Sequence, residues 1–256
     1  MRVAAVIPAR MQSVRLPGKP LRLIGGVPMI VRVLERARAC AELDRIIVAT
    51  DSAEIRRVVE AAGGEARLTS AAHRTGSDRV AEVAAAIDEE LVLNLQGDEP
   101  LVPASTVARL VEFARGRADL TVATAVVPLA RESDVVNPNI VKAVGSRAGK
   151  ALYFSRCPVP YCKSAPLDLA ARPGSERVVA GYRKHVGIYL YRREFLLEFV
   201  HLEPTPLEIA ESLEQLRILE HGYPVFLVDV PEDSISVDTP EDLEVVESLV
   251  AERVRT

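Results

Sequence analysis

A chain of 256 residues, 48% hydrophobic and 27% charged, is long enough to close one large α/β core, so residues 1–256 are read as a single domain. The net charge of -4, with no basic run along any one helix, argues against nucleic acid as a partner. The apolar opening run is cut at Pro8 and Arg10, too short for a signal segment or a membrane span, and Cys40, Cys157, Cys162 and four histidines form no paired metal-ligand pattern; a reducing cytoplasm is the expected setting.

In chain order, Val3–Ala9 is almost continuously apolar, as suits a strand buried on both faces of a mostly parallel sheet. Residues 27–40 place Ile30, Val31, Leu34 and Ala37 at helical spacing. Arg45–Thr50 reads as the next strand, Asp51-Ser52 as a helix start with Glu54 in the first turn, and Gly63-Gly64 as its stop. Residues 91–95 form another buried strand that runs into the turn Gln96-Gly97-Asp98-Glu99-Pro100. In open α/β sheets, ligands gather at such carboxyl ends.

Beyond residue 120 the pattern is strand-rich, over 120–127, 139–144, Ala151–Ser155 and 186–191, which predicts a small antiparallel extension. Residues 158–174 lack periodicity and read as a mobile loop able to close over a substrate. Helices are predicted over 206–219 and 240–253, with a strand over 225–230 between them, and no internal repeat is present.

The segment Pro8-Ala-Arg-Met-Gln-Ser-Val-Arg-Leu-Pro-Gly-Lys-Pro20 sets Arg10, Arg15 and Lys19 on one loop directly after the first strand. Gly18-Lys19 is followed by Pro20 without the upstream glycine of a Walker A loop, and no GxGxxG occurs. A triphosphate would use the loop: arginine offers a fork of donors, lysine a point charge, and Gly18 lets the backbone come close. A solvated basic turn is the alternative that residue types alone leave open.

Asp98 follows one buried strand and Asp238 follows a second candidate strand end. Carboxylates from two such loops suit a hard cation such as Mg2+ beside phosphates, whereas an isolated aspartate is more often a turn residue or a helix cap. For Asp238 the cap reading is weakened, because Thr239, Pro240 and Asp242 supply a better N-cap, N1 residue and capping-box partner.

Arg-x-x-Ser-x-Arg-Leu-Pro-Gly-Lys-Pro-Leu resembles the N-terminal signature of the 3-deoxy-manno-octulosonate cytidylyltransferases, or CMP-Kdo synthetases. Later segments resemble that family's motifs in order: His73-Arg-Thr-Gly-Ser-Asp-Arg-Val-Ala-Glu82, Gln96-Gly-Asp-Glu-Pro100, Asn137-Pro-Asn139, Tyr153-Phe-Ser-Arg156, His185-Val-Gly-Ile-Tyr189, Leu213-Glu-Gln-Leu-Arg217 and Val237-Asp-Thr-Pro-Glu-Asp-Leu243. The resemblance covers nearly the whole chain.

What it implies is a Rossmann-like nucleotidyltransferase fold, with residues of about 130–200 contributing the sugar pocket and a dimer-forming extension. It implies catalytic roles for Arg10, Arg15, Lys19 and Asp98. Nucleotide contacts would come from Ala9, Arg10, Ser13, Arg15, Gly18, Lys19, Gly76, Ser77, Arg79 and Gln96. Sugar contacts would come from Gln96, Arg156, His185, Tyr189, Glu211 and Gln215, and magnesium would sit on Asp98 and Asp238. Without the resemblance, His185 and Tyr189 read as core residues and Glu211 as a solvated helix face.

CTP and 3-deoxy-D-manno-octulosonate (Kdo) are then the expected substrates, with a homodimer in the cytoplasm serving lipopolysaccharide synthesis. The chain departs from the family pattern at Tyr161-Cys-Lys-Ser164 and at Thr75, where serine is usual. Another sugar acid, an 8-amino Kdo analogue or a sialic acid, stays open as substrate. So does a non-catalytic nucleotide-binding protein.

Overall fold

A computed structural model of the chain describes residues 1–12, 15–168 and 178–255. Strand β1 (Val3–Ala9) is followed by a hairpin of β2 (Leu23–Ile24) and β3 (Val27–Pro28), helix α1 (Met29–Arg38), β4 (Arg45–Thr50), α2 (Ala53–Ala61) and β5 (Glu65–Leu68). Then come α3 (Gly76–Ala84), β6 (Leu91–Asn94), α4 (Ala104–Arg115), β7 (Val122–Arg131), α5 (Glu132–Val136), β8 (Lys142–Gly145), β9 (Ala151–Ser155) and β10 (Val178–Arg192). The chain closes with α6 (Arg193–Phe199), α7 (Pro206–Glu211), α8 (Gln215–Glu220), β11 (Val225–Asp229) and α9 (Pro240–Arg255).

The main sheet runs β11-β7-β10-β6-β1-β4-β5. All these pairings are parallel except those of β10, which lies antiparallel between β6 and β7. The two-residue period of β1 explains why it is central. Val3, Ala5 and Ile7 enter an apolar cluster with α1, α2 and α4, while Ala4 and Val6 enter a second one with α3, α6 and α8. Strands β8 and β9 continue from β10 as the antiparallel extension.

A third, smaller cluster positions the site. Leu16 from the loop after β1, Ile24 and Met29 pack with Val237, Val246 and Val250, so α9 pins the basic loop and the segment before Asp238 against the same apolar knot. Among the described residues no helix is long and apolar enough to cross a membrane.

Several boundaries differ from the sequence reading. Strands β7 and β10 extend well past 120–127 and 186–191 because they pair with each other over most of their lengths, with register shifts at Val178/Tyr182 and Val186/Tyr189. The helix expected over 206–219 is broken: Ser212 turns left-handed at φ 53° and separates α7 from α8. Residues 104–115 carry helical spacing in Val107, Leu110, Val111 and Ala114 that the reading did not take up, and they form α4. Of the 158–174 loop, residues 158–168 contain neither helix nor strand, and 169–174 lie outside the described residues.

Candidate active site

The carboxyl ends of β1 and β6 open into a cleft of about 400 Å3, and the loop after β1 forms one wall. That loop takes its shape from Gly18, whose φ of 69° is costly for any residue with a side chain, and which starts the 3-10 turn Lys19–Leu21. Where the two strand ends touch, a Cβ on Gly97 would lie 2.7 Å from the Pro8 carbonyl oxygen. Only glycine lets the β6 turn approach that closely.

Lys19 stands at the centre. Its Nζ donates to Asp98 Oδ2 at 2.6 Å and to Asp238 Oδ1 at 3.0 Å, and Arg15 Nη2 is 3.1 Å from the same Asp238 oxygen. Burial alone would depress the Lys19 ammonium, but the two carboxylates outweigh it and hold its pKa above the usual value.

The loops bearing the two aspartates are joined directly, since the Val237 N–H donates to the Asp98 carbonyl at 2.9 Å. Asp238 is free to face the cleft because Asp242 does the capping: its Oδ2 accepts from the N–H groups of Asp238 and Thr239, and its own N–H donates to Thr239 Oγ1. The two carboxylates therefore converge on one cation. A hard divalent ion with phosphate oxygens completing its shell suits this donor set, which among the described residues contains no third His, Cys, Asp or Glu.

The opposite wall is the start of α3. Thr75 and Asp78 form a capping box there, which takes up the Asp78 N–H; the helix N-terminus, with Gly76 and exposed Arg74 beside it, still presents positive potential to the cleft. Ala9, Arg10, Arg79 and Gln96 also line it. Arg79 is held from below by Asp51 at 3.0 Å and by the Thr69 hydroxyl, and Gln96 Nε2 donates to Asn94 Oδ1 at 3.0 Å. Ser77 instead turns away: it is buried, and its hydroxyl donates to Glu214 Oε2 at 2.6 Å. Ser13 lies outside the described residues.

Gln12, His73, Arg74, Thr75 and Gly97 line the cleft without a site role expected from sequence. His73, Arg74 and Thr75 open the same motif as Gly76, and the signal for Gly97 is its place between Gln96 and Asp98.

Of the residues expected on the sugar side, Gln96 lines that cleft and the others lie in two groups outside its lining. In the first, Glu211 accepts from Ser155 Oγ at 2.6 Å and from the Arg156 N–H at 2.9 Å. The Arg156 guanidinium donates to the carbonyls of Glu211, Pro138 and Ser212, which leaves one N–H on each terminal nitrogen.

In the second, His185 lies edge-on to Phe154 at 5.1 Å and against Tyr189, which stacks on Tyr191. Burial drives the His185 pKa down to about 3, so the ring is neutral. Thr124 Oγ1 spends its one proton toward the Val186 and Ile188 carbonyls, so it accepts from His185 Nε2–H at 3.0 Å and leaves Nδ1 as an acceptor. Gln215 is buried, and among the described residues its Nε2 has no hydrogen-bond partner.

A family model described as "Cytidylyltransferase" matches residues 4–234. The "3-deoxy-manno-octulosonate cytidylyltransferase" of Geobacter metallireducens is 45% identical over 97% of this chain and 98% of its own length, and that of Syntrophotalea carbinolica is 46% identical with the same coverage of both chains. Among solved structures, one described as "CMP:2-keto-3-deoxy-manno-octonic acid synthetase complexed with CTP" superposes with a TM-score of 0.88 at 39% identity, over 99% of this chain and 100% of that one. A 4-diphosphocytidyl-2C-methyl-D-erythritol synthase of Anaerococcus prevotii, at 15% identity and a TM-score of 0.58, shares the fold alone. The converging loops, the capped helix start and the full-length likeness agree: the chain belongs to the 3-deoxy-manno-octulosonate cytidylyltransferases.

Proposed function

We propose that the protein transfers a cytidylyl group from CTP to Kdo, giving CMP-Kdo and pyrophosphate. The observation that carries the reading is the Lys19 ammonium seated between Asp98 and Asp238 at the strand-end cleft, which puts a cation and two carboxylates beside Arg10, Arg15 and the start of α3.

With a triphosphate bound, Arg10, Arg15 and Lys19 neutralise the β- and γ-phosphates, and the first turn of α3 with Gln96 orders the nucleoside. The sugar's anomeric hydroxyl attacks the α-phosphorus in line. The new oxygen–phosphorus bond forms as the bond to the pyrophosphate oxygen breaks, the hydroxyl's proton passes to solvent, and no covalent enzyme intermediate is needed. Asp98 and Asp238 would hold magnesium, which supplies charge neutralisation on the phosphates. Arg156 offers its remaining N–H groups to the sugar carboxylate, while His185 Nδ1, Tyr189, Glu211 and the unpartnered Gln215 Nε2 suit its hydroxyls.

A homodimer formed through the region of about 130–200, a cytoplasmic setting and supply of activated Kdo to lipopolysaccharide belong to the same reading. The test is pyrophosphate release from CTP and magnesium over a panel of Kdo, an 8-amino analogue and a sialic acid. Preference for Kdo supports the reading. Preference for another acid moves the substrate, and CTP binding without turnover on any acid replaces the enzyme with a nucleotide-binding protein.

A further inference from the structure

Ser77 and Glu214 lie 137 residues apart in the chain, yet the Ser77 hydroxyl donates to Glu214 Oε2 at 2.6 Å. Ser77 belongs to the first turn of α3, between Gly76, which lines the cleft, and Asp78, which caps the helix. Glu214 is the N-cap of α8, directly before Gln215 with its buried, unpartnered amide nitrogen. One short contact therefore ties the wall of the nucleotide cleft to the element that presents a candidate sugar donor.

The surroundings make this contact more than incidental packing. Burial holds the Glu214 pKa above the usual carboxylate value, and the Ser77 and Thr75 hydroxyls, with the Arg217 charge, pull against that rise. Arg217, the cation that acts on it, is bonded to Glu208 through both Nε at 2.8 Å and Nη2 at 2.5 Å. Without the serine, the carboxylate has a strong reason to leave its place. The backbone before it is specialised as well, since Ser212 is the only non-glycine residue at positive φ among the described residues, and that kink fixes where α8 begins. Ser77 also abuts Tyr191, which stacks on Tyr189 beside His185.

We infer that Glu214 is a positioning residue that couples the two substrate sites, holding the first turn of α3 and the start of α8 in one register through Ser77. The inference rests on the proposed reaction, and it gives Ser77 a role other than direct contact with nucleotide.

The experiment is a double-mutant cycle on full-length protein with Ser77→Ala, Glu214→Leu and the pair, plus Glu214→Gln. The readouts are the calorimetric affinity for CTP with magnesium and the KM for Kdo, with the active fraction measured for each variant. Each single substitution is expected to weaken CTP binding and raise the KM for Kdo by about tenfold, a change of about 1.4 kcal/mol. The pair should be no worse than Glu214→Leu alone, and Glu214→Gln should recover most of the loss because its carbonyl still accepts from Ser77.

Effects that multiply in the pair would overturn the inference, since Ser77 would then act on the nucleotide by itself. So would unchanged KM and affinity with only a smaller active fraction, the mark of a merely structural contact. If the parent protein fails to turn over Kdo, the proposed reaction falls, while the CTP-affinity arm of the cycle still decides the coupling.

Discussion

In the cleft at the ends of β1 and β6, charged groups meet across partly open space: Lys19, Asp98 and Asp238 keep side-chain exposures of 15%, 26% and 38% while paired. Around β9 and β10 the polar groups are turned inward, with Arg156 spread over backbone carbonyls, Glu211 filled by Ser155 and Arg156, and His185 neutral against Thr124. In the first region the Asp98 and Asp238 carboxylates stay partly open to solvent beside the mostly buried Lys19, so ligand charges can reach them without breaking the packing of the fold. The second has few free polar groups, so a ligand there must compete with existing bonds, and its side chains carry fold and recognition together. Substitutions in the cleft should therefore cost chemistry while sparing stability, and those around β9 and β10 should cost both.

The largest effect is expected at Asp98. Asp98→Asn should lower turnover by about a hundredfold or more, since positioning and charge stabilisation carry phosphoryl transfer, while the thermal midpoint moves by only a few degrees. Pyrophosphate release and a melting curve on one preparation check this, and a folded variant with near-normal release breaks the contrast. Arg156→Lys keeps the charge but loses the fork that joins Pro138, Glu211 and Ser212. It should raise the KM for the sugar acid by about tenfold, leave the KM for CTP nearly unchanged and lower the melting temperature. A stable variant with only a CTP defect would place Arg156 on the wrong side of the comparison.

A separate effect lies in the pH dependence of stability. His185 takes up a proton only near pH 3 in the fold, against an ordinary value of 6.5. Its contribution is thus complete above the unfolded value and is lost as pH falls from about 6.5 toward 3, because the unfolded chain then binds the extra proton. Near Lys184, Phe154 and Tyr189, the ring meets no carboxylate among the described residues that would favour its charged form. Urea-unfolding free energies of the parent should therefore fall more steeply below pH 6 than those of His185→Gln, by about 1.4 kcal/mol per pH unit. Parallel curves would mean that the ring is not held neutral.

The two regions were also unequally legible in sequence. The basic loop could be read because Arg10, Arg15, Gly18 and Lys19 are neighbours along the chain, and local rules named Thr239 and Asp242 as the cap that leaves Asp238 free. Around β9 and β10, His185, Tyr189 and Glu211 carry no local signature that separates a binding residue from a core one. An ordered motif pointed to His185 and Tyr189, whereas Glu211 lies in none of the quoted segments, and neighbours such as Thr124, which sets the tautomer of His185, went unread.

By itself the sequence determined the elements whose signal lies within a few residues: the two-sided burial of β1, the stop of α2 at Gly63 and the run of cations before Pro20. Tertiary structure alone decided that Lys19 meets Asp98 and Asp238 from 79 and 219 residues away, that β10 slides antiparallel between β6 and β7, and that α7 and α8 separate at Ser212. The reason is physical. Backbone propensity and capping act over one helical turn or one strand repeat, whereas the meeting of strand ends is set by how the sheet orders its strands and by which apolar faces they share.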